Sequence, residues 1–289
     1  MGKYFDYEKV KQQVKYAVLP DGAKIAYDEW GSGDKYILCA QQGHDNYSYS
    51  RRFANYGYHV IRIWNRGCGM SEPVHEDIGA DFYNLWADDV VRVADCLGID
   101  KFVYTGHSHG GGVGWHVVWR HPERVIAFIA LNSGPHPLDG NPSSLRKMVQ
   151  ENPGIDFANY PTDDPGALAY RATFRDFAEA CKKYSLELPF NYGKPMAALG
   201  TEENLIEVLK TITLPVLLIS GIDDLLAPPK YALRTACALP NCKLVLYSHA
   251  SHGFNSLEAW QETMNEAIPF LKNVEENNGR PDAKIVFDE

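Results

Sequence analysis

Apolar residues along this chain fall into short dense runs separated by longer amphipathic stretches. Tyr36 to Ala40, Val60 to Trp64, Phe102 to Thr105, Val125 to Leu131, Val216 to Ser220 and Leu244 to Tyr247 are predominantly apolar runs. Runs of that length suit strands covered on both faces, as in a parallel sheet. Tyr16 to Leu19 and Lys24 to Trp30 flank a Pro20-Asp21-Gly22 turn and predict an opening antiparallel hairpin. Between the runs the period changes. Asp81 to Leu97 sets Phe82, Leu85, Trp86, Val90, Val93 and Leu97 along one stripe, with Gly98 as a stop, which predicts a helix packed on the sheet. The alternation predicts an α/β domain: a mostly parallel eight-stranded sheet with helices on both faces.

After Leu131 the rhythm breaks for about 80 residues and resumes at Thr213-Leu214-Pro215. Within the break, Tyr170, Phe174, Phe177, Cys181 and Tyr184 share a helical face, and prolines punctuate the segment from Pro137 to Pro189. No flexible Gly/Ser run flanks it, so it reads as a helical cap inserted over the sheet rather than a domain on a linker. The expected organisation is a core of residues 1–136 and 211–289 with a cap of residues 137–210.

Composition narrows the function. With 289 residues, 45% of them hydrophobic, the chain can bury a large core as one unit. A net charge of -9, from 28 Lys+Arg against 37 Asp+Glu, argues against a nucleic-acid partner, because no broad basic surface is available to displace counterions from a phosphate backbone. No run of 18 or more apolar residues occurs, and the amino-terminal stretch is polar. The expectation is a soluble cytoplasmic protein with a small-molecule substrate and no membrane partner. Six scattered cysteines without a C-x-x-C pair suit reduced, buried thiols.

The chemistry centres on Gly106-His107-Ser108-His109-Gly110. A serine hydroxyl is a weak nucleophile until a base takes its proton and fixed donors stabilise the oxyanion formed. Here an apolar strand leads into the serine, glycines bracket it by two residues each, and Gly111, Gly112 and Gly114 open the next helix. That is the context in which a G-x-S-x-G turn can hold a serine in a strained, exposed position.

From about Tyr16 to Leu271 the chain resembles the α/β-hydrolase superfamily. Two further stretches carry the likeness: Gln42-Gly43-His44, matching the loop that donates a backbone N–H to the oxyanion, and Asn65-Arg66-Gly67-Cys68-Gly69-Met70-Ser71, similar to a D-x-R-G-x-G-x-S loop. Gln42 replaces the usual His, and Asn65 replaces the usual acid. The family's G-x-x-D-x-x-x-P pattern falls on Gly221 to Pro228 and implies Asp224 as the acid, with Asp223 as competitor. The loop after the last strand, Ser248 to Phe254, implies His252 as the base, with His249 as competitor.

The resemblance implies hydrolysis of a small carboxylic ester or lactone through an acyl-serine. Ser108, Asp224 and His252 would be catalytic, and the backbone N–H groups of His44 and His109 would form the oxyanion hole. Gln42, Asp45 and His107 are possible substrate contacts, although His107 can instead pack beneath the turn while His109 borders the pocket. No metal or organic cofactor is required. His107 and His109 flank a sharp turn and should point apart, which argues against a metal site. The same residues on a thioester, amide or carbon–carbon bond, or a non-catalytic receptor on this fold, are the alternatives.

Overall fold

Every strand expected from the hydrophobic pattern forms. A computed structural model describes residues 6–42, 49–136, 138, 163, 165–253 and 257–277. In it β1 (Lys15–Val18) and β2 (Lys24–Trp30) make the opening hairpin. They are followed by β3 (Tyr36–Gln41), β4 (His59–Trp64), β5 (Phe102–His107), β6 (Val125–Leu131), β7 (Val216–Gly221) and β8 (Cys242–Tyr247). The eight strands lie in one open sheet in the order β1-β2-β4-β3-β5-β6-β7-β8. β2 pairs antiparallel with β1 and β4, and all remaining pairs are parallel.

Successive strand side chains alternate between faces, so each apolar run supplies two cores at once. On one face Leu38, Ile61, Tyr104, Phe128 and Leu218 meet Trp86 and Val90 of α2 (Phe82–Cys96) and Val113 and Val117 of α3 (His109–Arg120). The other face presents Ile37, Val60, Val103, Ile129 and Leu217 to Trp260, Met264 and Phe270 of the carboxy-terminal helix Leu257–Glu276. Each such side chain, once buried, contributes about 1.5–3 kcal/mol. Of the predicted α2 stripe, Phe82, Trp86, Val90 and Val93 are fully buried, whereas Leu85 and Leu97 are only partly covered. Gly98 ends the helix at φ 71°, a conformation open to glycine.

Between β6 and β7 the chain forms a 20-residue helix, Pro165–Tyr184, and a second helix, Glu202–Thr211. On the first of these Cys181 is buried, and Phe177 and Tyr184 pack toward Val10, Ala26 and Trp64. Tyr184 stacks on Tyr7 of the amino-terminal helix α1 (Tyr7–Gln13) at 4.1 Å. The side chains of Tyr170 and Phe174, and residues Phe157 and Tyr160, lie outside the described residues. The second helix buries Leu205 and Leu209 in the same core as α2 and α3.

All six cysteines are free thiols. Cys39, Cys68 and Cys181 are buried as expected, but Cys96 and Cys237 are exposed. Both occupy the solvent side of a helix, a placement that apolar neighbours in sequence do not reveal. Among the described residues no helix is long and apolar enough to cross a membrane.

Candidate active site

β5 runs through Gly106 and His107, and α3 begins at His109, so Ser108 alone makes the junction. Its backbone sits at φ 52°, ψ −117°, a sparsely populated conformation costing about 1–3 kcal/mol. The neighbours hold it there. Ser108 N–H donates to the Leu131 carbonyl at 2.9 Å, and its own carbonyl accepts from Gly112 N–H at 2.9 Å.

The bracketing glycines answer to space. A Cβ on Gly106 would lie 2.2 Å from the Gly110 carbonyl carbon and 2.3 Å from Gly111 N, and one on Gly110 would lie 2.7 Å from the Ala40 carbonyl oxygen. These are backbone atoms that cannot rotate away. Gly106→Ala is therefore expected to cost about 2–3 kcal/mol, read as a lowered urea midpoint. An unchanged midpoint would contradict this close crossing of strand and helix.

Three polar side chains from three loops meet at the junction. Ser108 Oγ lies 2.7 Å from His252 Nε2, and His252 Nδ1 lies 2.8 Å from Asp224 Oδ2. The Asp224 carboxylate can only accept, so Nδ1 carries the imidazole proton and Nε2 offers its lone pair to the serine O–H. Asp224 is buried in the turn after β7, where its Oδ1 accepts the N–H groups of Leu226 and Ala227 at 2.8 Å each. The competitors stand aside. Asp223 is partly exposed, and His249 is exposed at φ 56°.

His107 and His109 turn to opposite sides. The His107 ring sits edge-on to Trp260 at 5.2 Å, and its Nε2 lies 2.7 Å from the His252 carbonyl oxygen. The His109 ring lies among Trp86 at 4.9 Å, Tyr192 at 5.1 Å and Tyr83 at 5.6 Å. Asn65 Nδ2 meets His109 Nε2 at 2.7 Å, which gives the amide at that position a partner that uses its donor. Burial pushes both imidazoles down to about 3, with His252 adding to the effect at His107, so both are neutral. Among the described residues no group of three or more His, Cys, Asp or Glu side chains is disposed to hold a metal ion.

Gln42 closes β3's end, and its Nε2 donates to the hydroxyl of Tyr192 from the segment between β6 and β7. That segment lies along one face of α3. Tyr192 packs on His109, Pro195 Cγ would lie 2.7 Å from a Cβ on Gly112, and Met196 N–H donates to His116 Nε2 at 2.8 Å. Residues 109, 112 and 116 share one helical face, so the segment covers the helix that starts at the serine. His44 and Asp45 lie outside the described residues. His109 N–H is the first of α3, where helical geometry offers it no intrahelical acceptor.

Sequence patterning did not single out Trp86 beyond its core role, nor Tyr83 and Asn132 at all. Asn132 is buried immediately after β6 at φ 45°, and the position of an Asn one residue past a buried strand was the only available signal.

The sequence pattern of the alpha/beta hydrolase fold matches residues 42–259 of this chain. The chain belongs to the α/β-hydrolase family. This hydrolase is 29% identical over 284 residues to the bifunctional esterase/perhydrolase DCH of Acinetobacter calcoaceticus, across 89% of this chain and 99% of that one. To the non-heme chloroperoxidase of Burkholderia pyrrocinia it is 28% identical over 270 residues, across 84% and 95% of the two chains. Among solved structures, Est816, described as an N-acyl homoserine lactone degrading enzyme, superposes with a TM-score of 0.66 at 24% identity, covering 88% of this hydrolase and 99% of that chain. The protein is thus an enzyme of the α/β-hydrolase type, and its fold is common to these proteins.

Proposed function

We propose that this enzyme hydrolyses a small carboxylic ester or lactone through an acyl-serine intermediate. The observation that carries the proposal is the unbroken chain from Asp224 through His252 to Ser108, at 2.8 and 2.7 Å. His252 Nε2 takes the Ser108 proton as Oγ attacks the acyl carbon, and Asp224 holds the tautomer and stabilises the imidazolium. The tetrahedral oxyanion is met by the backbone N–H of His109, and by that of His44, two positions after Gln42 in the sequence. Collapse expels the alkoxide, which takes its proton from His252. Water then repeats the sequence on the acyl-enzyme, and the carboxylic acid leaves.

Residues 137–210 serve as the cap, with Tyr192 as one wall of the acyl or leaving-group pocket. The ester chemistry named for the Acinetobacter relative supports the choice of bond. A panel of p-nitrophenyl acetate, a γ-lactone, a thioester and an anilide tests it. Turnover of the first two well above the anilide is expected; turnover confined to the anilide or thioester, or none at all, would overturn the reading.

The acid is separable from its neighbour. Asp224→Asn is expected to lower kcat for the aryl ester by about 10²- to 10⁴-fold, because an amide no longer fixes the tautomer of His252. Asp223→Asn should leave kcat within about threefold, and the reverse order would move the role to Asp223.

A further inference from the structure

His252 lies in a turn beyond β8, outside every strand and helix, so no sheet ladder fixes its main chain. Side chains do so instead. Its carbonyl oxygen accepts from His107 Nε2 at 2.7 Å and from Asn132 Nδ2 at 2.7 Å. A carbonyl only accepts, so the His107 proton resides on Nε2. Asn132 reaches further. Its Nδ2 also faces the Ser251 carbonyl at 3.3 Å, and its Oδ1 accepts Gly221 N–H at 2.9 Å. Gly221 ends β7 and opens the turn bearing Asp224, so one buried amide ties the loop of the acid to the loop of the base.

The sheet places both donors. His107 pairs with Leu131 across β5 and β6, which sets it beside Asn132, and the left-handed backbone of Asn132 (φ 45°) is one that a short amide tolerates. One donor thus stands immediately before the nucleophile and the other at the end of the neighbouring strand.

We infer that His107 and Asn132 clamp the main-chain carbonyl of His252 and so position its imidazole against Ser108; the inference rests on the hydrolytic reading above. Both are positioning residues. The imidazole must stay within hydrogen-bond reach of the serine and then of the leaving group, and a displacement of about 1 Å costs about 10²-fold. Because burial keeps His107 neutral, its ring, 5.0 Å from that of His252, places no second positive charge beside the imidazolium that forms in the reaction.

Hydrolysis of p-nitrophenyl acetate by wild type, His107→Phe, His107→Gln and Asn132→Asp tests the clamp. His107→Phe keeps a ring against Trp260 but loses the donor. Its kcat and kcat/KM are expected to fall about 10- to 100-fold with KM within about twofold, the pattern of an interaction felt in the transition state. His107→Gln offers an amide N–H to the same carbonyl and should recover kcat to within about threefold of wild type. Asn132→Asp still accepts from Gly221 but turns oxygen toward two carbonyls, so its loss should equal or exceed that of His107→Phe. Should Asn132→Asp fail to fold, the His107 pair decides. A role in packing alone would lower Tm in both His107 variants without separating their kcat values.

The low-field NMR proton of His252 Nδ1–H gives a reading that needs no substrate: sharp in wild type and His107→Gln, broadened or lost in His107→Phe. Wild-type kcat in His107→Phe, equal impairment of the Phe and Gln variants, or an unaltered His252 proton in His107→Phe would each overturn the clamp. Absence of turnover in wild type would instead strike the hydrolytic reading, and the NMR comparison would still judge the clamp.

Discussion

Ser108→Ala and His252→Ala should each lower kcat for an activated aryl ester by about 10⁴-fold or more, and Ser108→Ala should leave the unfolding free energy from urea titration within about 1 kcal/mol of wild type. The two losses should not add. Once the oxygen that attacks is gone, the base has no proton to take, so the double variant is expected to match the singles. What rate remains comes from oxyanion donors and binding acting on water. Stability should change little in Ser108→Ala because Ser108 Oγ contributes one hydrogen bond between loops, whereas the strained turn itself is held by Leu131, Gly112 and the crossing at Gly106; His252→Ala also strips buried Asp224 of its Nδ1–H donor and should cost more. Steady-state kinetics beside urea titrations check both halves, and a Ser108→Ala enzyme retaining a tenth of wild-type kcat would remove the serine from the chemistry.

The second large effect is a steep loss of stability in acid. Burial pushes His107, His109 and His116 each down to about 3 in the folded protein, with His252 adding at His107 and Arg120 at His116. In the unfolded chain each returns to about 6.5. Between those values the unfolded state binds more protons, so stability is full above about pH 6.5 and falls as pH falls toward 3. Each histidine contributes a slope of about 1.4 kcal/mol per pH unit, and three give about 4. Set against a total of about 5–15 kcal/mol, that slope brings global unfolding between about pH 5 and pH 3.

The structure says where opening begins. His116 donates from Nδ1 to Asn84 Oδ1 at 2.9 Å and accepts Met196 N–H on Nε2 at 2.8 Å. A proton on Nε2 would face that N–H directly, so the segment carrying Tyr192 should release α3 first. Urea titrations at pH 7, 6 and 5 measure the slope, and His116→Gln should reduce it by about one proton. Equal stability at pH 7 and 5 would contradict the neutrality of these side chains.

The hydrophobic pattern carried the fold because parallel strands covered on both faces are predominantly apolar, and each of the runs read from it is a strand; Arg62, buried within β4, is the charged exception and is paired with Asp28 at 2.9 Å. Ends were less legible. β5 continues through Gly106 and His107 because the elbow is built directly on the strand, although glycine and histidine carry no strand signal. At the site, spacing within loops placed Ser108, Asp224 and His252 in the set that the structure brings together. What patterning could not reach are contacts between distant segments. Gln42 with Tyr192, Asn65 with His109, and Asn132 with His252 join residues separated by 150, 44 and 120 positions. Such pairs leave no periodicity, since each depends on how strands order themselves in the sheet. The α2 stripe shows the same limit: Trp86 is a core residue, as its spacing implied, and its ring, together with that of Tyr83, also walls in His109.

The central claim, that Ser108 is a nucleophile activated by His252, is tested most directly by treating the enzyme with a fluorophosphonate and mapping the adduct by peptide mass spectrometry. A single adduct on Ser108, formed in step with loss of aryl esterase activity and nearly absent in His252→Ala, is the predicted result. An enzyme that hydrolyses the ester while Ser108 stays unlabelled would contradict it.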